Sequence, residues 1–439
     1  MNSAIYFEKR RKQFIDRLDG GVAIIPASGL VTHHADCEYP FRQNSDFWYL
    51  TGFDEPNAIA LFISNKPKGG QYILFVEPKD SLAEIWQGTR CGLDGAKKDF
   101  GVDVAHSIED FPKLIHEYLE GANEIIFSIG KTPKIEAIVM QAWSNQLDKY
   151  SRNGFAPSCI RSPHLFLNEM RLYKDNYEIN RIRKAANISA SAHEIARNSV
   201  LPGMNERQIQ GKIEGYFLEQ CTRGSAYSPI VASGDNACVL HYTLNNDVLK
   251  DGNLILIDAG CSLNDYYNAD ITRTFPINGK FSSEQKEIYE IVLSAQKDAI
   301  EKVIKGNTST DIHLAALRRI VDGLIQLRIL TGDVDAIIEQ GSYKHLYMHQ
   351  TGHWLGLDVH DVGAYRLGDF DIPLNSGMVL TVEPGIYISD RLPTPKDQPE
   401  IDSRWKGIGI RIEDDILVTD NLPEILTAKA LKEIKDIEK

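Results

Sequence analysis

The sequence predicts an α/β domain followed by an α+β domain, in which helices pack behind a largely antiparallel sheet. Three observations support this prediction. Up to about residue 165, short apolar runs bounded by Gly, Pro or Asp alternate with helical segments. Beyond that point, long amphipathic helices alternate with apolar strands, one of which shows strict period-two alternation. A length of 439 residues leaves room for two or three compact domains.

In the first domain, three apolar runs are typical of strands. VAIIPAS begins at Val22, AIALFIS at Ala58 and QYILFVEP at Gln71, and each is bounded by turn residues. The pattern changes to long amphipathic segments close to residue 168. We therefore predict an N-terminal α/β domain over residues 1–167 and a second domain over residues 168–439.

The second domain is predicted to open with a helix over residues 174–197, where apolar residues recur at helical spacing. Another helix is expected after Gly203. A third begins after Ser282, because Gln285 three residues later completes a capping box. We expect this third helix to end near Gly306.

Two predicted strands of the second domain end in an acidic residue, and in a third predicted strand apolar residues alternate with other residues. LILID (254–258) and VLTVE (379–383) are apolar runs that each end in a carboxylate. GIGIRIED (407–414) alternates strictly and is predicted to be a strand. Its two faces carry Ile408, Ile410 and Ile412 on one side and Gly409, Arg411 and Glu413 on the other.

Composition and charge restrict the partners and the location of the protein. The net charge of −13 argues against nucleic-acid binding, which normally uses a basic patch, and favours a small substrate. Six cysteines without a CxxC pair are expected to be reduced thiols in the core. The N-terminus lacks the unbroken apolar region of a secretory signal, and no run reaches the ~20 apolar residues of a membrane span. We therefore expect a cytoplasmic protein without a membrane partner.

Acidic residues occur at unusual places in the second domain. An unpaired carboxylate inside a sheet is energetically costly, so strands normally carry acids at their ends or on the solvated face. Asp270 shares a predicted strand face with Thr272 and Thr274, and Glu413 shares one with Arg411. Acids of this kind on four strand-like segments are too many for chance: Asp258, Asp270, Glu383 and Glu413.

Histidines cluster in the same domain. Four of the chain's 12 histidines lie within HLYMHQTGHWLGLDVHDVG (345–363), and His241 precedes them. Carboxylates from several strands plus one imidazole form an oxygen-rich site, which favours Mn, Mg, Fe or Co over structural zinc. Two divalent ions would balance four carboxylates, and bridging carboxylates hold such ions ~3.5–4 Å apart. The four clustered histidines are His345, His349, His353 and His360.

The residues alone leave a second interpretation open. Asp258 is as typical of a strand-end cap as of a metal ligand, and Glu413 could form an ordinary ion pair with Arg411. His349 and His353 could be neighbours on a helix, although the glycines near them favour a loop. Spacing and composition therefore support a metal site and a set of ordinary polar contacts about equally.

Five ordered motifs point to a known family. They are IDAG (257–260), ADITRTF (269–275), GHWLGLDVHD (352–361), TVEPGIYI (381–388) and GIGIRIEDD (407–415). In these motifs the chain resembles the aminopeptidase P group of the pita-bread metallopeptidases, family M24, in its bacterial form. The likeness extends into the first domain through HADCEYPFRQNSDFWYLTGFDEP (34–56) and AEIWQGTR (83–90).

This resemblance implies a fold and a metal set. The second domain is expected to contain a curved, mostly antiparallel pita-bread sheet backed by helices, after a creatinase-like first domain. Two divalent ions per subunit are implied, with Mn²⁺ favoured. Asp258 is expected to bind one ion, and His353 and Glu383 to complete the site of the other. Asp270 and Glu413 are expected to bridge both.

The resemblance also implies roles for residues around the metals. The residues expected to take part in catalysis are His241, His349, His360, Glu383 and Arg411. Of these, Glu383 is expected to give acid or base help as well as to bind metal. Substrate is expected to meet His241, His360 and Tyr387 in a hydrophobic pocket shaped around proline.

Two residues of the first domain, Asp36 and Trp86, match positions that border the active site of a neighbouring subunit in the family. This match implies a substrate-binding role for both residues and a homodimer or homotetramer. Trp86 is equally consistent with a plain interface or core aromatic.

The implied activity is release of the N-terminal amino acid from peptides with proline at the second position, by attack of a metal-bridging hydroxide. One alternative is a prolidase, which shares the metal set but cleaves Xaa-Pro dipeptides. A second alternative is a non-catalytic pita-bread module that binds peptides. The presence of all five expected metal ligands argues against this module.

The chain departs from the family pattern in two segments. SLNDYYNA (262–269) is one residue longer than is usual between the two aspartates, so a loop bulge must absorb the extra residue. SDRLPTPKDQPEIDSRWKG (389–407) is also longer than usual and is expected to form a polar loop near the site entrance.

Overall fold

The computed structural model describes residues 4–66, 69–389, 391 and 393–438. Its Cα positions group into two compact units, Met1–Arg171 and Leu172–Lys439. The predicted domain boundary between residues 167 and 168 falls inside the helix His164–Leu172 and stays a prediction. Across the described ranges, no helix combines the length and the apolar character that crossing a bilayer requires.

The first unit consists of helices on a mixed sheet. Its helices are α1 (Ala4–Asp16), α2 (Ser45–Thr51), α3 (Ser81–Gln87), α4 (Gly92–Phe100), α5 (Phe111–Tyr118), α6 (Pro133–Asp148), α7 (Tyr150–Asn153) and α8 (His164–Leu172). Its strands are β1 (Val22–Pro26), β2 (Thr32–His34), β3 (Cys37–Glu38), β4 (Ile59–Ile63), β5 (Tyr72–Val76), β6 (Val104–Ser107), β7 (Ile125–Ile126) and β8 (Ile160–Arg161).

The main sheet of this unit has the strand order β6-β5-β4-β1-β7-β8. Strand β4 pairs antiparallel with β1 and β5, whereas β6, β7 and β8 are added in parallel. The three predicted apolar runs form β1, β4 and β5, which are buried along almost their whole length. Their continuous apolar character follows from helices that cover the sheet, including Phe111 and Val139 packed against Leu61 and Phe75 in the core. The α/β prediction for this region is confirmed.

The second unit contains long helices and short antiparallel strands. Its helices are α9 (Asn176–Ser199), α10 (Glu206–Glu219), α11 (Ser283–Ile300), α12 (Ser309–Gln326), α13 (Val334–Gln340) and α14 (Ile434–Ile437). Its strands are β9 (Ile230–Ser233), β10 (Leu254–Asp258), β11 (Thr272–Pro276), β12 (Arg366–Leu367), β13 (Phe370–Asp371), β14 (Val379–Val382), β15 (Gly385–Ile388), β16 (Ile408–Arg411), β17 (Asp414–Leu417) and β18 (Glu424–Ile425).

Capping residues set where these helices begin. Asp175 caps α9 together with Glu178, and Ser282 caps α11 together with Gln285, as the sequence predicts for the latter. The predicted end of α11 near Gly306 is wrong, because the helix ends at Ile300 and the following residues form tight turns. Gly306, with φ of 95°, belongs to the connection that leads into α12.

The strands of the second unit pair antiparallel in the orders β11-β10-β9, β14-β17-β18 and β15-β16. The largely antiparallel prediction is confirmed. GIGIRIED, however, is not one strand, because β16 pairs with β15 and β17 pairs with β14. Ile412 and Glu413 lie at this change of partner. Asp270 lies just before β11 and not within it.

The segment between Asp258 and Asp270 contains a tight turn. Leu263 and Tyr267 face each other across this turn, with the Leu263 N–H donating to the Tyr267 carbonyl at 2.9 Å. Tyr266 adopts a left-handed conformation with φ of 68°, which is unusual for a bulky residue and lets the chain reverse. The expected loop bulge that absorbs an extra residue stays a prediction.

The longer segment 389–407 is tied to its surroundings by polar contacts. Arg391 forms an ion pair with Asp235 at 2.7 Å, and the Ser342 hydroxyl donates to Asp397 at 2.5 Å. Residues 390 and 392 of this segment lie outside the described residues. Its predicted position near the site entrance stays a prediction.

The cysteines differ from the expectation of core thiols. All six are free, but Cys37, Cys159 and Cys221 are exposed, and Cys261 is buried. Cys37, for example, lies on the exposed hairpin formed by β2 and β3. A small apolar side chain is tolerated at such surface positions, so composition alone did not determine burial.

Gly260 follows Asp258 by two residues, where the chain passes very close to a neighbouring segment. A Cβ atom at this position would lie 1.7 Å from the carbonyl oxygen of Ala269, which is backbone and cannot move aside cheaply. We therefore expect Gly260→Ala to destabilise the second unit by about 2 kcal/mol or more. The matched control is Gly211→Ala at an exposed position of helix α10, where the new methyl group meets nothing within 4 Å. This control should be neutral or stabilising by up to about 1 kcal/mol. Urea unfolding midpoints measure both, and equal midpoints would contradict the steric argument.

Candidate metal centre

Acids from different strands converge at one place in the second unit. Asp258 ends β10, and the facing residue on the antiparallel neighbour β11 is Thr272, two residues after Asp270. Glu413 lies between β16 and β17, and its backbone N–H donates to the Thr272 carbonyl at 3.1 Å. As a result, Asp270, Glu413 and His353 each offer a ligand atom within 4.8 Å of the others.

Asp258 and Asp270 share a hydrogen-bond donor. The hydroxyl of Tyr227 donates toward an oxygen of Asp258 at 2.6 Å and contacts an oxygen of Asp270. The other oxygen of Asp258 accepts from the Arg411 guanidinium at 2.6 Å. Burial raises the pKa of Asp258, and the neighbouring charge of Asp270 adds to this rise, while Arg411 opposes it. Arg411 thus favours the ionised form of Asp258, which burial disfavours.

His353 lies between two of the acids. Its Nε2 atom is 3.5 Å from an oxygen of Asp270 and 3.5 Å from an oxygen of Glu383. Its Nδ1 atom is 3.1 Å from the Trp354 carbonyl, which orients the ring so that Nε2 faces the carboxylates. Burial alone would lower the pKa of His353, but the hydrogen bond to Asp270 and the charges of Glu383 and Asp270 raise it to about 9.

Glu383 and Glu413 are buried carboxylates whose ionised forms are disfavoured. Burial, together with the charges of Asp270 and Asp258, raises the pKa of Glu383 to about 7, against the opposing effect of His353. Burial and the charges of Asp270 and Glu383 raise the pKa of Glu413 well above its usual range. These directions follow from several negative charges in a region of low dielectric.

Arg411, Tyr387 and His349 form a chain of hydrogen bonds beside Asp258. An Arg411 nitrogen donates to the Tyr387 hydroxyl oxygen at 3.1 Å, and that hydroxyl lies 2.8 Å from Nε2 of His349. The His349 Nδ1 faces the Gln350 carbonyl at 2.8 Å and therefore carries the proton. Burial, with the charge of Arg411, lowers the pKa of His349 to about 4, so the ring is neutral and Nε2 accepts from Tyr387. Both ring nitrogens are engaged.

His360 and His241 lie at the outer side of the cluster. The ring of His360 packs edge-on against that of His353, with centroids 4.3 Å apart. Burial and the charge of His353 lower the pKa of His360, which leaves its ring neutral at pH 7. His241 is exposed, and its charge makes a small contribution to lowering the pKa of His349 and of His360.

Asp36 and Trp86 belong to the first unit and are both exposed. Asp36 lies in the turn between β2 and β3. Trp86 is 88% exposed on helix α3, beside Leu82 and Ile85 at 72% and 77%. Their predicted roles in substrate binding stay predictions.

Sequence reasoning missed several residues that support the acids. Tyr227 was not singled out, since a lone tyrosine in GSAYSP carries no pattern. Thr381 donates to Glu383 at 3.2 Å and accepts from the His353 backbone at 3.0 Å. Both oxygens of Asp415 accept from the backbone N–H of Asp270, at 3.3 and 3.2 Å. Thr381 lies in the predicted strand VLTVE, so the alternation of side chains along a strand could have suggested it. No such pattern contains Tyr227.

A second charged cluster lies behind Glu413. The buried guanidinium of Arg273 donates to the carbonyls of Thr272 and Glu413 and to the Asp414 carboxylate, at 2.9, 2.5 and 2.7 Å. Lys432 reaches the other oxygen of Asp414 at 2.6 Å. Burial alone would raise the pKa of Asp414, but these two cations lower it well below its usual range. Arg273 thus fixes the backbone on both sides of the acid cluster.

The donor set of the acid cluster fits a divalent cation. Carboxylate oxygens with one imidazole nitrogen are the ligands that ions such as Mn²⁺ or Mg²⁺ accept. The four carboxylates Asp258, Asp270, Glu383 and Glu413 carry more formal negative charge than Arg411 and His353 offset. A divalent ion supplies that missing positive charge.

Two protein-family models match the chain. The model of metallopeptidase family M24 matches residues 180–420, which include the whole acid cluster, and the model of the aminopeptidase P N-terminal domain matches residues 7–127. The chain belongs to metallopeptidase family M24. The resemblance found in the sequence is confirmed, and with it the use of divalent metal by this M24 peptidase.

Individual relatives are similar to this M24 peptidase over almost its whole length. It is 44% identical over 433 residues to the Xaa-Pro aminopeptidase of Haemophilus influenzae, covering 98% of this chain and 96% of that protein. The solved aminopeptidase PepP of Pseudomonas aeruginosa matches with a TM-score of 0.94 at 40% identity, over 99% of this chain and 97% of that one. Zinc-substituted aminopeptidase P of Escherichia coli in complex with product matches at 0.93 and 41%, with the same coverage. The predicted pita-bread fold is confirmed.

Metal binding to this M24 peptidase should release protons. His353, with a pKa of about 9, is mostly protonated at pH 7 and must lose its proton to bind a metal, and Glu383, with a pKa of about 7, is half protonated there. We expect at least about one proton to be released on metal binding at pH 7, and fewer at pH 9. Because the bound form holds fewer protons, affinity should rise with pH up to about 9.

Calorimetric titration with Mn²⁺ in two buffers of different ionisation enthalpy measures this release. The control is the same pair of titrations at pH 9. Binding heats that are identical in both buffers at pH 7 would contradict the protonation states described above.

Proposed function

We propose that this M24 peptidase releases the N-terminal amino acid from peptides that have proline at the second position. The observation that carries the proposal is the convergence of Asp270, His353 and Glu413 in a chain that is similar along nearly its whole length to Xaa-Pro aminopeptidases. We further propose a cytoplasmic location, which its six free thiols favour.

Five residues are proposed to hold two divalent ions, with Mn²⁺ as the favoured metal. They are Asp258, Asp270, His353, Glu383 and Glu413. When bound, the ions would polarise the scissile carbonyl and make water more acidic. Support comes from the oxygen-rich donor set and from the raised pKa values of the buried acids.

Glu383 is proposed to move the proton that the reaction requires. Its carboxylate lies beside His353 in the acid cluster, where it can accept a proton from the attacking water. As the bond between the first carbonyl carbon and the proline nitrogen breaks, the same proton passes to that nitrogen. The first amino acid leaves with a new carboxyl group, and the rest of the peptide leaves with a free proline amine.

Two histidines are proposed to stabilise the oxygen that becomes negative in the transition state. His360 and His241 lie at the outer side of the acid cluster, and the lowered pKa of His360 keeps its ring neutral, so that an N–H group can donate to this oxygen. His349 and Arg411 take a different part. They are linked through the Tyr387 hydroxyl into a hydrogen-bonded group beside Asp258.

Selectivity for proline follows from the chemistry of its amide. This amide is tertiary, lacks an N–H group and has a fixed φ, so a site that relies on that N–H cannot use it. We propose that His241, His360 and Tyr387 form a pocket around the ring, which does not require that hydrogen bond.

The experiment compares Xaa-Pro with Xaa-Pro-Yaa, using chelator-stripped protein with and without added Mn²⁺. We expect Mn²⁺-dependent release of the first residue from the tripeptide. Cleavage of the dipeptide alone would identify a prolidase. Failure to cleave either peptide, together with failure to bind metal, would favour a binding module.

Asp270→Asn tests the metal assignment in the same assay. Loss of this charge should reduce turnover at least ~10³-fold while the folded state persists, because one proposed bridge between ions is removed. The control is Asp335→Asn, an acid on α13 with a side chain 72% exposed, which should keep full activity. Unchanged turnover in Asp270→Asn would mean that the bridge lies elsewhere.

We also propose a homodimer or homotetramer in which Asp36 and Trp86 of one copy border the site of another. Support comes from helix α3, which buries none of its residues and exposes Leu82, Ile85 and Trp86 together. Apolar side chains grouped in this way are typical of an interface.

Sedimentation velocity tests this assembly. Wild-type protein should sediment as an oligomer, and Trp86→Asp should raise the dissociation constant at least ~10-fold by placing a charge in the interface. The control is Phe370→Asp, at a site 80% exposed in the second unit. A monomeric wild type would exclude the assembly.

A further inference from the structure

Glu206 is a completely buried acid that the proposed mechanism does not use. It lies in the first turn of α10, where the helix dipole favours a negative charge. One of its oxygens accepts from the backbone N–H and the hydroxyl of Ser233, both at 2.7 Å. The other accepts from the Tyr242 hydroxyl and the Asp247 backbone N–H, both at 2.9 Å. This carboxylate therefore joins α10 to three points of a distant segment.

That segment, residues 233–249, carries His241 and is held along its length by the start of α10. The Glu206 backbone N–H donates to the Asp247 carbonyl at 3.0 Å, and the Leu249 N–H donates to Met204 at 2.7 Å. The Arg207 guanidinium donates to the Leu244 carbonyl at 2.6 Å. Backbone bonds thus fix the C-terminal part of the segment, after His241.

Tyr242 connects this segment to the strands of the metal centre. Its ring packs in a buried cluster with Ile230, Ala232 and Leu256. Leu256 lies on β10 two residues before Asp258, and Ile230 is the partner of Asp258 in the β9–β10 ladder. The Tyr242 ring is therefore seated on the strand pair that delivers Asp258, and Glu206 holds its hydroxyl.

His241 is the residue directly before Tyr242, and its own side chain is exposed. The position of an exposed imidazole depends on the backbone from which it projects. That backbone is fixed by the neighbouring tyrosine, whose ring and hydroxyl are both buried in defined contacts.

We propose that Tyr242 and Glu206 are positioning residues for His241: they set its distance from the metal-binding strand β10. This inference rests on the proposed function, because the role of His241 in stabilising the reacting oxygen belongs to that proposal. It assigns function to a buried Tyr–Glu pair that touches neither metal ligands nor substrate.

A double-mutant cycle tests the proposal. Tyr242→Phe removes one hydroxyl and keeps the ring, and it should lower kcat/KM for Xaa-Pro-Yaa about tenfold, since a small displacement of a catalytic group has effects of this order. The fall should lie mainly in kcat. In the His241→Ala background the same change should have almost no effect, because the group being positioned is gone. Additive losses would overturn the proposal.

Metal affinity and a control variant separate positioning from general damage. The Kd for Mn²⁺ should stay within about twofold in Tyr242→Phe, since none of the proposed ligands is displaced. Tyr289→Phe removes another buried tyrosine hydroxyl, which donates to the Lys432 carbonyl at 2.7 Å, far in sequence from His241. It should leave kcat/KM unchanged. A fall in metal affinity that matches the fall in activity would overturn the proposal.

Hydrogen exchange gives a readout that does not depend on catalysis. The comparison is made under conditions where the variants have equal global stability. Amides of residues 239–247 should then exchange faster in Tyr242→Phe and in Glu206→Gln than in Tyr289→Phe. Unchanged exchange there would overturn the positioning role even if wild type were inactive. A wild type that cleaves neither peptide contradicts the proposed function instead, so the two failures are distinguishable.

Discussion

The burial of several carboxylates close together in the second unit is the constraint on which the rest of the structure depends. Asp258, Glu383 and Glu413 come from different segments into a region from which water is largely excluded and which Asp270 shares, and this burial raises the free energy of their ionised forms. The protein offsets part of this cost with donors aimed at the carboxylate oxygens, from Tyr227, Thr272 and Arg411. The remaining negative charge attracts a divalent cation. Metal binding is thus the consequence of a fold that concentrates acids.

Outside the acid cluster, positively and negatively charged side chains lie next to one another. Arg273 binds the backbone carbonyls of Thr272 and Glu413, and its own charge is balanced by Asp414, which Lys432 also contacts. This outer group has two cations for one carboxylate, so it fixes the ligand strands without adding negative charge. This arrangement differs from that of Glu206, where helix α10 and neutral donors, and not a cation, stabilise the buried charge. Ion pairs hold the strands of the metal centre, whereas neutral hydrogen bonds hold the His241 segment.

The sequence was informative wherever a local pattern determined the structure. The apolar runs form β1, β4 and β5, and Asp258 ends its strand as predicted. The sequence was not informative where contacts between distant segments determine the structure. The break between β16 and β17 arises because the two halves of GIGIRIED pair with different strands. Tyr227 and Asp415 meet the acids through tertiary contacts that no local spacing encodes. The expectation that the cysteines lie in the core was wrong, because a free thiol is compatible with both the core and the surface and composition does not decide between them.

The separation of the candidate ligands along the chain has a mechanical consequence. Asp270 lies just before β11, Glu413 lies between β16 and β17, and His353 comes from irregular backbone between them in sequence. An ion held by these three residues would close long loops and act as a reversible cross-link, in the way that disulfides do in chains whose cysteines are paired. In a protein whose six cysteines are free thiols, metal supply would then govern resistance to proteolysis as well as catalysis. Scarcity of metal would become a signal for turnover of the protein itself.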